Sequence, residues 1–141
     1  MLSRLIGLVA LTAFVSSAAA VPPSPPRYGV RLEKTWIPMK DGVRLAATLY
    51  MPDPRRAGER FPVLLEYLPY RKDDDEAVRD YGNHSYFAQR GYVGARVDIR
   101  GFGESEGKPP VREYSAQEQR DAEEVIAWLA RQSWSNGKVG M

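Results

Sequence analysis

An amphipathic helix set behind two strand-like apolar runs limits this chain more than any other feature. Within residues 116–132, Ala122, Val125, Ile126, Leu129 and Ala130 recur at helical spacing, with charges opposite. Ser115 followed by Glu118 fits a capping box at the start of that helix. Upstream, residues 62–68 are nearly continuous in apolar side chains, as a strand covered on both faces requires. Residues 92–99 form a second run, with Val93, Ala95, Val97 and Ile99 on one side. A short helix is predicted between the two runs, over residues 85–90, ended by Gly91. A closed β-sandwich does not accommodate this helix.

The chain opens with a predicted hairpin. Residues 32–39 read as a strand, and Pro38 points to an edge position. Lys40-Asp41-Gly42 supplies the turn. Val43, Leu45, Ala47 and Leu49 then alternate with Arg44, Ala46, Thr48 and Tyr50, the pattern of a half-buried antiparallel strand. At the far end Asn136-Gly137 reads as a turn, with another strand beginning at residues 138–141. Hairpin, strand, helix, strand, helix, strand specifies an α/β sheet, mixed at one edge and parallel inside. Ligands in such sheets bind at the carboxyl ends of the strands. Because the last strand begins where the sequence stops, the expectation is a truncated fold.

Composition narrows the function classes. Twenty Lys and Arg against eighteen Asp and Glu leave no field favouring nucleic acid or an anionic membrane. The absence of cysteine excludes disulfides, thiolate zinc sites and a cysteine nucleophile. His84 is the sole histidine, so a hydrolytic triad has one internal candidate for its base; its position predicts a surface or helix-start residue. The Asp73-Asp74-Asp75-Glu76 run reads as a solvated loop, since adjacent carboxylates cannot all converge on one ion. No metal and no cofactor is expected. Residues 1–20 have the form of a cleavable signal peptide: Arg4, an apolar stretch over residues 5–15, and Ala18-Ala19-Ala20. A secreted or periplasmic location follows, without a membrane span after cleavage. Residues 21–30 form a proline-rich leader and residues 31–141 the folded domain.

Three motifs mislead. Gly103-Glu-Ser105-Glu-Gly107 spells the G-x-S-x-G nucleophile elbow, yet Pro109-Pro110 denies Ser105 the helix that must follow. Ser105 and Lys108 spell S-x-x-K, but Gly107 and Pro109 oppose the helical spacing that pair needs. Gly101-Phe-Gly103 lacks the third glycine of a dinucleotide loop, where Glu106 stands instead. Gly107-Lys108 is followed by proline where a P-loop needs Ser or Thr. Asp98 and Arg100, two apart at a strand end, are expected to point the same way. A structural pair fixing the glycine-rich loop of residues 100–110 is the first reading of them and a substrate contact the second.

The order of segments resembles the cocaine esterase/X-Pro dipeptidyl-peptidase (CocE/NonD, S15-like) family of serine hydrolases. It is carried by residues 37–45, 68–73, Gly91-Tyr92, 98–107, 121–128 and 134–141. The resemblance implies the amino-terminal portion of an α/β-hydrolase domain, ending before the true elbow. Serine, acid and histidine would then lie beyond Met141, the acid and histidine following the serine in chain order. It also implies that Tyr70, after the third strand, donates a hydrogen bond to the oxyanion formed on a small-molecule or peptide ester or amide. The fragment itself would be inactive. A small secreted binding module without catalysis, using three Trp and eight Tyr for a sugar or peptide surface, is the alternative.

Overall fold

The computed structural model describes residues 21–75 and 77–141, so the signal-peptide expectation for residues 1–20 lies outside the described residues. Strands β1 (Val30–Pro38) and β2 (Arg44–Pro52) pair antiparallel in register from Val30↔Pro52 to Pro38↔Arg44. The turn between them closes through Met39 N–H to Val43 O, 2.8 Å, and Asp41 Oδ1 accepts from Val43 N–H, 3.1 Å. Strand β3 (Phe61–Leu68), helix α1 (Ala77–Ala88), β4 (Val93–Asp98), α2 (Ala116–Arg131) and β5 (Ser135–Gly140) follow. The sheet order is β1-β2-β4-β3-β5, with β2 antiparallel to β4, and β3 parallel to both β4 and β5. This is the mixed-edge, parallel-interior sheet that the segment order predicts.

The core lies on one face of the sheet. Leu45, Ala47, Leu49, Val63, Leu65, Val93, Ala95 and Val97 pack there with Val125 and Leu129 of α2. Helix α2 starts at Ser115, whose Oγ accepts from Glu118 N–H at 3.1 Å. The opposite face differs from expectation in two ways. First, β2 is buried on both faces and not half-buried. It is an interior strand, and its small side chains let neighbours close over it: Ser105 sits on Ala46, and the ring of Tyr50 stacks on His84 at 4.9 Å. Second, α1 begins eight residues before the predicted helix. Its inward face carries Asp80 and His84, which bond Arg96 and Glu66 of the sheet at 2.8 and 2.7 Å. A helix held by ion pairs has no apolar stripe to announce it.

Strand β5 also begins earlier than expected. Asn136-Gly137 lies inside it as a bulge, because the pairing with β3 jumps from Phe61↔Ser135 to Val63↔Val139. Gly137 carries φ +85°, which the bulge needs and side chains rarely adopt. At the start, the leader runs extended along the end of α1, with Arg27 and Tyr28 N–H both donating to Gln89 O.

The charges on the α1 face make stability depend on pH. The hydrogen bond from His84 holds the Glu66 carboxyl below its ordinary range, with Arg96 adding to it against burial. Burial pushes Asp73 up, but bonds from Lys72 and Lys34 outweigh it and its carboxyl also ends low. Lowered carboxyls bind protons less well in the folded chain, so the unfolded chain takes up more as pH falls through about 4. Their contribution is present above that range and lost below it. The thermal midpoint is therefore expected to hold down to about pH 5 and drop toward about pH 3. Glu66→Gln should lower the midpoint at pH 7 and flatten the acid limb; calorimetry across pH checks both, and a midpoint that rises on acidification contradicts the account.

Candidate active-site rim

Strands β3 and β4 run parallel and end together, with Leu68 opposite Asp98 and Ile99 N–H donating to Leu68 O at 3.1 Å. Both chains turn away there, which opens a cleft at the carboxyl rim of the sheet, where α/β folds bind ligands. The cleft measures about 460 Å³ and includes Tyr67, Pro69, Tyr70, Phe102, Tyr114 and Glu118 in its wall. Tyr70 is 74% exposed, and its side chain makes no hydrogen bond among the described residues. Its phenol is thus a hydrogen-bond donor standing at the mouth of the cleft.

Deeper in the same wall are two polar atoms that sequence reasoning missed. Tyr67 Oη and Glu118 Oε2 are buried with no hydrogen-bond partner among the described residues. Burial pushes the Tyr67 phenol well up, and the charges of Asp121 and Glu118 push it further. Tyr67 was hidden in an apolar run. Glu118 reads in sequence as the returning half of a capping box, but only its N–H takes part; the carboxylate turns into the cleft wall.

Asp98 and Arg100 do not form a pair. Strand β4 ends at Asp98, so the two-residue alternation lapses before Arg100 is reached. Asp98 Oδ1 accepts from Lys72 N–H at 2.6 Å and Oδ2 from Glu104 N–H at 3.0 Å. Gly103 must lack a side chain, because a Cβ there would run into Asp98 Oδ2. Arg100 instead forks onto Asp121, at 2.7 Å through both Nε and Nη2, and reaches Asp41 at 2.8 Å. Asp98 holds the glycine loop through Glu104 N–H, whereas Arg100, at the start of that loop, ties it to α2 and to the hairpin turn.

Ser105 is buried under that loop. Its Oγ donates to Asp98 O at 2.7 Å and accepts from Ala46 N–H at 2.8 Å, which engages the hydroxyl on both sides. His84 is neither a surface residue nor a helix-start residue. It sits past the middle of α1 with Nε2 at 2.7 Å from Glu66, and a Cβ at Gly94 would come within 2.8 Å of its Nδ1. Packing decides this position, and the surrounding sequence is too polar to signal it. Of the acidic run, Asp73 meets Lys34 and Lys72 at 2.9 and 2.6 Å, while Asp74 and Asp75 are exposed, as a solvated loop predicts. Among the described residues, no group of three or more His, Cys, Asp or Glu side chains is arranged to hold a metal ion.

A protein-family model described as X-Pro dipeptidyl-peptidase (S15 family) matches residues 41–141. Cocaine esterase from Rhodococcus sp. (strain MB1 Bresler) is 41% identical over 108 residues, covering 74% of this chain and 17% of that enzyme. A CocE/NonD family hydrolase from Staphylococcus aureus aligns with a TM-score of 0.65 at 27% identity, over 79% of this chain and 22% of its own. An α-amino acid ester hydrolase aligns with a TM-score of 0.60 over 93% of this chain and 24% of its own; at 24% identity that likeness speaks for the fold alone. The chain spans about a fifth of the length of the curated relatives it matches.

The two bonds of Ser105 set a stability expectation. Ser105→Ala strands Ala46 N–H and Asp98 O beneath the loop and should cost about 1–3 kcal/mol. Urea denaturation measures this; an unchanged midpoint would show that water replaces the hydroxyl.

Proposed function

Because the chain belongs to the X-Pro dipeptidyl-peptidase (S15) family of hydrolases, we propose that it forms the amino-terminal part of a secreted serine hydrolase. The enzyme cleaves esters or amides through an acyl-enzyme, and Tyr70 donates to the oxyanion. The observation that carries this reading is the position of Tyr70: two residues past the end of β3, at the carboxyl rim, with its phenol accessible and uncommitted.

Strand β5 supports it. β5 lies beside β3 and parallel to it, with Gly140 opposite Leu64, so the chain leaves β5 heading toward the rim that carries Tyr70. A serine on a turn that follows β5 attacks the substrate carbonyl, and the oxygen that becomes negative needs donors already in place. Tyr70 O–H is one donor; the backbone N–H after the serine is the second. Such donors act on charge that exists mainly in the transition state. The acid and histidine of the triad follow the serine in chain order. His84 is not the base, since it is fixed on the inward face of α1 against Glu66 and Gly94, away from the rim. Substrates are small-molecule or peptide esters and amides. The signal-like residues 1–20 support export.

The binding-module alternative expects a closed β-sandwich. Helix α2 packed on a sheet with parallel β4-β3-β5 is a different architecture, and leaves that alternative without support.

In the enzyme carrying the residues that follow Met141, Tyr70→Phe is expected to lower kcat by about 10²–10³-fold with little change in KM. Steady-state kinetics on an activated ester measures it, and an unchanged kcat removes Tyr70 from the mechanism. Residues 21–141 alone should hydrolyse no such ester and take no fluorophosphonate label. A label on Ser105 would place the nucleophile within this chain.

A further inference from the structure

Among the described residues the Tyr70 side chain makes no hydrogen bond, yet an oxyanion donor must be aimed. Its direction has to come from the backbone, and the backbone on either side is fixed. Before it, Leu68 O is held by Ile99 N–H, and Pro69 sets its own φ. After it, Arg71 adopts φ +62°, a left-handed conformation rare for a residue other than glycine. Lys72, 2% exposed, is gripped at both of its backbone groups. Its N–H donates to Asp98 Oδ1 at 2.6 Å, and its carbonyl accepts from Arg96 Nη1 at 2.6 Å.

Asp98 and Arg96 stand two apart on β4 and are 1% and 2% exposed. Each is tied to a further element. Asp98 Oδ2 holds Glu104 N–H of the glycine loop, and Arg96 reaches Glu66 of β3 at 2.9 Å and Asp80 of α1 at 2.8 Å. The Lys72 ammonium bonds Asp73 and Glu104, both at 2.6 Å. Only Pro69, Tyr70 and Arg71 lie between the two fixed points. The peptide units on either side of Lys72 are each held by a buried side chain, so neither turns freely, the unusual Arg71 conformation persists and the phenol keeps its direction.

We propose that Asp98 and Arg96 are positioning residues for Tyr70: they clamp the Lys72 backbone and so hold the phenol where the oxyanion forms. This rests on the oxyanion role of Tyr70 given above, and the test separates the two. In the whole enzyme, Asp98→Asn keeps the side-chain shape but puts an NH₂ group against one of the two N–H donors. It is expected to lower kcat about 10- to 100-fold, the scale of a misplacement near 1 Å, with little change in KM. The decisive measurement repeats this substitution in a Tyr70→Phe background. If Asp98 acts through the phenol, the double variant is no slower than Tyr70→Phe alone. An equal further loss in that background overturns the clamp, as does an unchanged kcat for Asp98→Asn. Tyr70→Phe that leaves kcat unchanged instead defeats the oxyanion role itself. Should Asp98→Asn lose its far-ultraviolet circular dichroism, Arg96→Lys goes through the same cycle. It keeps a positive charge beside Glu66 and Asp80 but gives up the guanidinium bond to the Lys72 carbonyl. If neither variant folds, the two residues are structural and the positioning role falls.

Discussion

Every residue of β4 is buried, and two of its six carry full charges. Arg96 and Asp98 are taken out of water on an interior strand, which is costly unless each polar group finds a partner. They find partners on every side. Arg96 meets the carboxylates of Glu66 and Asp80 and the carbonyl of Lys72; Asp98 accepts two backbone N–H groups and, through its own carbonyl, the Ser105 hydroxyl. No single element can satisfy these groups. Helix α1, the β3 exit, the glycine loop and the sheet must therefore be in place together, and the buried charges make the rim a single unit.

The two faces of the sheet are built on different physics as a result. Helix α2 is held by apolar burial, with Val125 and Leu129 on the Leu45–Val97 layer, and this face supplies the hydrophobic stability of the domain. Helix α1 is held by directed bonds that specify geometry more than they add free energy. The cleft opens at the rim between these two regimes. Among the described residues, its wall carries two exposed phenols that make no hydrogen bond, Tyr70 and Tyr114, and two buried oxygens without partners, Tyr67 Oη and Glu118 Oε2.

Much of the fold was legible because local chemistry and tertiary structure agreed. Asp41-Gly42 turned the hairpin, Pro38 marked the edge strand, Gly91 ended α1, and the Val125–Leu129 stripe announced α2. The motif near Ser105 carried its own refutation in the two prolines that follow. What failed was pattern reading where a side chain serves a distant partner. Helix α1 showed no apolar period because Asp80 and His84 face inward. Strand β2 alternated, yet both its faces are covered. Asp98 and Arg100 looked like a pair and answer to different residues. Of the cleft wall, Tyr70 was singled out through the resemblance; Tyr67 and Glu118 offered no signal, since a phenol in an apolar strand and a carboxylate at a helix start have ordinary local explanations.

The sequence by itself determined which segments are strands and helices, their order, and hence an α/β sheet with its ligand rim at the strands' carboxyl ends. These follow from residue spacing and backbone preference, which act over a few positions. Only the tertiary structure decided which charges are buried, where Lys72 is gripped, and where Tyr70 stands. Those depend on groups 16 to 32 residues apart meeting across the sheet and its loops, and local spacing carries no information about such meetings.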